Sequence, residues 1–456
     1  MDFAYADFMG LLLFLIICIS VFFNYIINNR KLTAFQAISV AFALFYAFVP
    51  YLVRHFEIKV SLLSFDASTH FLAQLWAFGG YIVYFIFYQI TKIVSRKSKT
   101  LEIDIKEDPK KFTLIQKVTN IIFAVALICN FYFYINMGGI LSALSMAESL
   151  RGNVEFSRFI YEIPFLSLSR MLMPLITIAS YMYLYFISKG ISRYRLKFII
   201  STVMVVIYVI FNAGKLYLIL TVVSYLLFFS FGKSKRVVFK MCVLAIFALV
   251  IIEPLNNLFY SLEYGFSNSG SLLEFGSFAE YFKEFVFPYS NLLHVRSFVD
   301  NNGLRWGYDY IAIFVDILPS SVLNAVGINE PLASHVFNTY NYTGGVWTAG
   351  TPTDLITLGY YQLREFGILI ICMIWGVISA LFDKNLKWCA YEKGDFLIRV
   401  RALFFFFQLV PYADPSPLWR NRLDYLFFVF LIIYIARNRK HVLANENKLI
   451  NEGERQ

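Results

Sequence analysis

The sequence predicts an all-α membrane protein that crosses the bilayer many times, and three observations carry that expectation. Hydrophobic residues make up 59% of the 456 and charged residues only 15%, with a mean hydropathy of +0.62, a composition far outside the soluble range. The apolar residues fall in runs of about twenty, the length a helix needs to cross roughly 30 Å of hydrocarbon. The loops between the runs differ sharply in basic residues, as cytoplasmic retention of cations requires.

Eleven spans follow in order. The first, at 8–27, comes after the acidic start Asp2 and Asp7 and lacks a small-residue cleavage site, so it reads as a retained span. The next four lie at 34–53, 71–93, 115–135 and 160–187. A close pair, 196–211 and 216–231, shares the turn 212–215, which sits near the outer membrane surface or slightly within it. The eighth span is 237–252. The last three are 360–382, 396–410 and 423–436. Alternation places the basic loops 28–33, 95–117, 189–197, 232–240 and 383–400, with the tail from Arg437, in the cytoplasm. The N-terminus is then outside and the C-terminus inside. The chain divides into spans 1–8 (1–255), one large outer loop (256–359), and spans 9–11 with the tail (360–456). The run 308–326 is long enough to span, but Asp309, Asp316 and Pro319 interrupt it, and it reads as amphipathic or re-entrant.

This topology puts twenty-eight of the forty Lys and Arg residues inside and twelve outside. The inner set holds eighteen Lys, whereas nine of the outer twelve are Arg: Arg54, Arg151, Arg158, Arg170, Arg296, Arg305, Arg364, Arg420 and Arg422. Orientation alone does not ask for arginine. A planar fork that grips phosphate or carboxylate does. The net charge of +10 sits beside spans and points to orientation and anionic lipid, not to nucleic acid. Five scattered cysteines have no metal or CxxC spacing and read as packing residues.

The outer loop is about a hundred residues long, a length usually reserved for function. It holds His294, Arg296, Asp300, Arg305, Asp309 and His335, and ends in a Gly/Thr-rich stretch, 342–354. The chain shows no internal repeat, which counts mildly against a transporter.

Several short features carry a family resemblance. They are Asn212, Ala213, Gly214 and Lys215 in a tight helical hairpin; Gly307 and Tyr308 with Pro319; and Thr353 and Asp354 through Gly359, Tyr360 and Tyr361 to Phe366 and Gly367. Arg420, Arg422 and Asp424 complete the set. With the span count and the late outer loop, the chain resembles the Wzy-type O-antigen polymerases. The resemblance implies a fold like the GT-C-like membrane glycosyltransferases, in the bacterial inner membrane. It implies transfer of a glycan from undecaprenyl pyrophosphate to a sugar hydroxyl of another lipid-linked repeat unit at the periplasmic face. It also implies the flippase and the chain-length regulator of that pathway as partners, and no nucleotide cofactor.

The residues can be tested against that chemistry. A lipid pyrophosphate leaving group needs fixed positive charge and no general acid. Lys215, Arg296, Arg305, Arg420, Arg422, Arg151 and Arg158 are the candidates for donor or glycan contact, with Tyr361 by analogy. Each has a plainer role: a surface ion pair for Arg296 and Arg305, which flank Asp300, solvation for Arg151 and Arg158, and interfacial anchoring for Arg420 and Arg422. Lys215 stands between apolar helices, where a cation is costly unless it meets water or an anion. The acceptor hydroxyl needs a base. His335 is the favoured one; Asp354 is the other, or else caps the helix after Pro352. No metal-ligand cluster is evident, so metal-independent transfer is expected. A ligase would share donor and architecture and differ only in acceptor. A flippase would carry charge inside its helices, and the spans read as nearly free of it.

Overall fold

A computed structural model describes residues 3–29, 31–55, 66–95, 109–145, 163, 165–209, 214–231, 243, 285–316, 338, 351–387, 389, 392–415 and 422–437. The helices are α1 (Phe3–Ile27), α2 (Ala34–His55), α3 (Ala67–Val94), α4 (Pro109–Asn136), α5 (Ile140–Ser145), α6 (Leu166–Leu172) and α7 (Leu175–Ser188). They continue with α8 (Arg195–Tyr208), α9 (Gly214–Ser230), α10 (Phe287–Asn302), α11 (Tyr308–Asp316), α12 (Leu355–Leu386), α13 (Lys393–Leu409) and α14 over 423–437. No strand occurs among the described residues. The chain is an all-α protein with apolar helices of membrane-spanning length.

Six helices among the described residues are long and apolar enough to cross a bilayer, against the eleven expected. They match expected spans one to five and nine. Spans six, seven, ten and eleven correspond to α8, α9, α13 and α14, which are shorter, and span eight lies almost wholly outside the described residues.

Three of the long helices, α2, α3 and α12, start where a side chain satisfies free N–H groups. Thr33 and Gln36 form a reciprocal capping box at α2. Asp66 caps α3 through Thr69 N at 3.2 Å, and Asp354 caps α12 through Thr357 N at 3.1 Å. Inside α2 the turn Ala43–Phe48 is a π-helix. Pro50 follows, and its missing N–H removes the bond that Tyr46 O would otherwise accept.

α1 shows which faces look inward. Ala6, Gly10, Leu13, Ile17, Ser20 and Asn24 are buried at helical spacing, while Phe8, Leu11, Leu15 and Phe22 are exposed. The buried face holds the small and polar Ala6, Gly10, Ser20 and Asn24 beside Leu13 and Ile17, while the outward face is dominated by large apolar side chains, as expected where lipid is as apolar as leucine. One end of the bundle is tied by Asp383, which accepts from Ala34 N at 2.7 Å, Phe35 N at 3.3 Å and Tyr88 Oη at 2.9 Å. Arg399 holds the same end, donating to the carbonyls of Leu32, Leu386 and Cys389. These contacts group the start of α2 with the C-terminal ends of α3 and α12.

α12 is two helices. Leu363 (φ −148°) and Arg364 (φ 53°) leave helical geometry, and the chain reverses there. A Cβ on Gly359 would lie 2.8 Å from Gly367 O, although eight residues of straight helix would hold the two about 12 Å apart. Ile356 and Ile368 both press on Gly80, and Tyr360 packs its ring 4.8 Å from Trp76. The half-helix 355–362 therefore rises antiparallel to α3, and 365–386 descends parallel to it. Glycine at 359 and 367 is what lets the two backbones touch. α10 rises beside them, from Phe285, 5.9 Å from Phe45, to Asp300 beside Arg364. Parts of the expected outer loop thus descend into the bundle.

Candidate functional site

Two polar clusters lie inside this frame, one at the C-terminal end of α13 and one at its middle. The first surrounds the buried start of the half-helix 355–362. Asp354 has no exposed surface, and its Oδ2 accepts from Tyr46 Oη at 2.5 Å and from Thr357 N at 3.1 Å. Its Oδ1 accepts from Asn291 Nδ2 at 3.0 Å. Asn291 also donates to Pro352 O at 2.8 Å, and Asn338 donates to Thr353 Oγ1 at 3.1 Å. Tyr361 donates from its hydroxyl to Asn338 Oδ1 and stands 5.3 Å from the Phe298 ring. Of the two roles open to Asp354, this geometry is that of a cap: three donors already occupy its oxygens. The strand-like link 353–355 is held to the end of α13 by Leu355 N to Val410 O and Ala413 N to Thr353 O, each 2.8 Å.

Beside it, Arg305 grips Asp309 with two hydrogen bonds, Nε to Oδ2 at 2.7 Å and Nη2 to Oδ1 at 2.6 Å. Gln362 Nε2 adds a third at 2.6 Å. Burial pushes the Asp309 carboxyl up from its ordinary value, against the pull of Arg305. The expected surface ion pair with Asp300 is present for Arg296 and is corrected for Arg305. Arg305 turns to Asp309, Asp300 is held by Arg364 at 2.7 Å, and Arg296 reaches Asp300 only at 4.0 Å on the exposed surface.

The second cluster is fully enclosed. Arg401 stands eight residues from either end of α13 and pairs with Asp424 at the start of α14; neither side chain has any exposure. Tyr217 Oη donates to Asp424 Oδ2 at 2.7 Å. Tyr425, Tyr181 and Tyr217 surround the Arg401 guanidinium at 4.2, 4.5 and 5.4 Å from their ring centroids. Arg422 lies 5.1 Å from the same Tyr217 ring and 5.4 Å from Tyr412, is nine-tenths buried, and forms no ion pair among the described residues. Arg401 Nε and Nη1 and Asp424 Oδ1 have no hydrogen-bond partner there either. Arg401 and Arg422 thus both lie against the Tyr217 ring, where Asp424 is paired, among the described residues, with Arg401 alone, and the enclosed site keeps unmet polar atoms on both members of that pair.

Sequence reasoning found Arg422, Asp354, Tyr361 and Arg305 and missed Arg401, which it counted among cytoplasmic cations. The signal was available: Arg399 and Arg401 fall inside the apolar run 396–410, where a charge marks function or a buried partner. Arg399, Arg401, Asp383 and Asp424 are all buried in helices. The expectation of spans nearly free of charge is therefore corrected, and with it the argument it supplied against a transporter. Lys215 falls in the first turn of α9, two residues before Tyr217, with only its backbone described. His335, Arg151, Arg158 and Arg420 lie outside the described residues. Comparison with protein-family models, curated proteins and solved structures finds no match for this chain.

Proposed function

We propose that this protein is a membrane glycosyltransferase that takes a glycan from a polyprenyl pyrophosphate and joins it to a hydroxyl of a second lipid-linked repeat unit, as an O-antigen or surface-polysaccharide polymerase. The observation that carries the reading is the surplus of guanidinium over carboxylate around Tyr217. Two arginines beside one carboxylate inside an apolar bundle mark a candidate site for an anion, and a lipid pyrophosphate brings both the anion and the chain that belongs in the bilayer. The family resemblance of the Arg420, Arg422 and Asp424 stretch points the same way.

In this reaction the acceptor oxygen attacks the anomeric carbon of the donor sugar. The bond from that carbon to the pyrophosphate oxygen breaks, and the hydroxyl proton passes to a base. Negative charge grows on the departing pyrophosphate, where Arg401 and Arg422 are pre-positioned and cannot deprotonate. Tyr217 and Asp424 keep Arg401 in place. The base is assigned to His335, with Asp354 as a structural cap. The enzyme acts in the bacterial inner membrane with its sugar chemistry at the periplasmic face, alongside the flippase and chain-length regulator of the same pathway.

The test is reconstitution of the purified protein in vesicles with a lipid-linked repeat unit and no nucleotide, followed by gel separation of lipid-linked products. A ladder of whole repeats is expected, and its loss in R401K and R422K. Transfer only when lipid A core is supplied would make the protein a ligase. Movement of the lipid-linked sugar across the bilayer with no transfer would make it a flippase, a reading the buried charges of α13 keep in play.

A further inference from the structure

We propose that Trp306, together with the row Arg364, Asp300 and Arg296, forms a glycan-binding platform that holds the acceptor sugar chain outside the membrane. The inference rests on the reaction proposed above and names the part of it that faces water. Trp306 is 71% exposed and sits at φ 50°, with Arg364 at φ 53°. Left-handed geometry costs a non-glycine residue on the order of 1 kcal/mol. Here it presents an indole that stays mostly exposed, so burial of the ring accounts for little of it.

The loop is nonetheless fixed. Three successive N–H groups fasten it to the top of the half-helix: Arg305 to Tyr361 O at 2.8 Å, Trp306 to Gln362 O at 3.3 Å, and Gly307 to Gln362 Oε1 at 2.8 Å. Beneath it the Arg305–Asp309 pair is buried and doubly bonded. A large aromatic ring on a rigid, wet base is what the apolar face of a sugar stacks upon. The Arg364–Asp300 pair at 2.7 Å is half exposed on both sides, so it can exchange its partners for sugar hydroxyls or carboxylates.

The surroundings favour a glycan over lipid. The lipid-facing row of 365–386, Phe366, Leu369, Ile370, Ile374, Ile378 and Leu381, is wholly apolar. The exposed residues on the segments that carry Trp306 and Arg364 include the polar Arg296, Asp300, Asn301 and Arg364 as well as the aromatic Tyr308, Tyr310 and Phe366. Ile311, 64% exposed on α11, is the side chain a bilayer contact would use, so the test must separate the two. Tyr361 and Gln362 connect this edge directly to the half-helix that begins at Asp354.

The full-length protein in nanodiscs decides it in two arms. The emission difference between wild type and W306F isolates Trp306. Aqueous iodide is expected to quench it and dibrominated phosphatidylcholine to leave it; quenching by the brominated lipid alone overturns the platform. In the second arm, saturation-transfer NMR follows the repeat-unit oligosaccharide released by mild acid from the lipid-linked pool of the host. Transfer to the sugar is expected with wild type, with affinity about tenfold weaker in W306A and largely kept in W306F. Equal transfer in W306A, or none in wild type, overturns the platform. Binding needs no turnover, so a missing ladder in vesicles with intact Trp306-dependent binding would sink the proposed reaction and leave the platform standing.

Discussion

Arg401 and Asp424 meet as an ion pair with no exposure of either side chain, and Tyr217 Oη joins the same carboxylate oxygen at 2.7 Å. A buried pair is tuned as a unit, so losing one member hurts more than losing both. D424N leaves Arg401 charged inside the bundle and should cost about 3–5 kcal/mol, read as a fall in the melting temperature of the detergent-purified protein. The double variant R401M/D424L should recover much of that loss yet make no ladder. Recovery of the ladder with the double variant would mean that the pair serves folding alone.

Asp354 gives a cleaner separation of stability from chemistry. Its oxygens accept from Tyr46, Asn291 and Thr357, so D354N turns an NH2 group toward a donor. A loss of about 1–3 kcal/mol follows from one buried donor left unmet. Glycan transfer by the folded fraction should stay within an order of magnitude of wild type. A normal melting temperature with activity abolished would instead make Asp354 the base.

The distribution of what was legible follows from what lipid does to sequence patterns. The positions of α1, α2, α3 and α4 could be read from apolar length, because spanning requires it. Their inward faces are not visible in hydrophobicity, since both faces of α1 are apolar; the cue is the spacing of Ala6, Gly10, Ser20 and Asn24. The reversal at Leu363 and Arg364 was hidden because neither residue is a Gly or Pro and the run on both sides is helical. Only Gly359 and Gly367, eight apart, hinted at a close approach. Arg422 was found because it flanks a Pro-rich turn, whereas Arg401 was absorbed into a count of cytoplasmic charge. The partnership of Arg401 with Tyr217, 184 residues away, has no local signature at all.

The hairpin rests on backbone contact that a single methyl group tests. A Cβ at Gly367 would overlap the Gly359 carbonyl oxygen, so G367A must force the two halves of α12 apart. A loss of at least about 3 kcal/mol is expected, at the upper end for overpacking because the clash is with backbone. Gly79 has nothing within 4 Å of an added Cβ, so G79A should be neutral or stabilise by up to about 1 kcal/mol through helix propensity. Equal melting temperatures for G367A and wild type would mean a continuous helix.

His294 supplies a pH dependence with a definite sign. It lies on α10 with Nδ1 2.9 Å from Ser290 O, and burial pushes its pKa below the ordinary 6.5. The unfolded chain therefore takes up a proton near pH 6.5 while the folded chain still resists it. Below that pH the unfolded state binds more protons, and stability falls as pH drops. Above it, both states are neutral and this contribution does not change. Melting temperatures measured from pH 7.5 to 5 should decline, and H294Q, which keeps a polar side chain without a titrating group, should flatten part of the decline. An identical slope in H294Q would place the titration on another residue, and a slope of opposite sign would show that His294 gains a proton on folding.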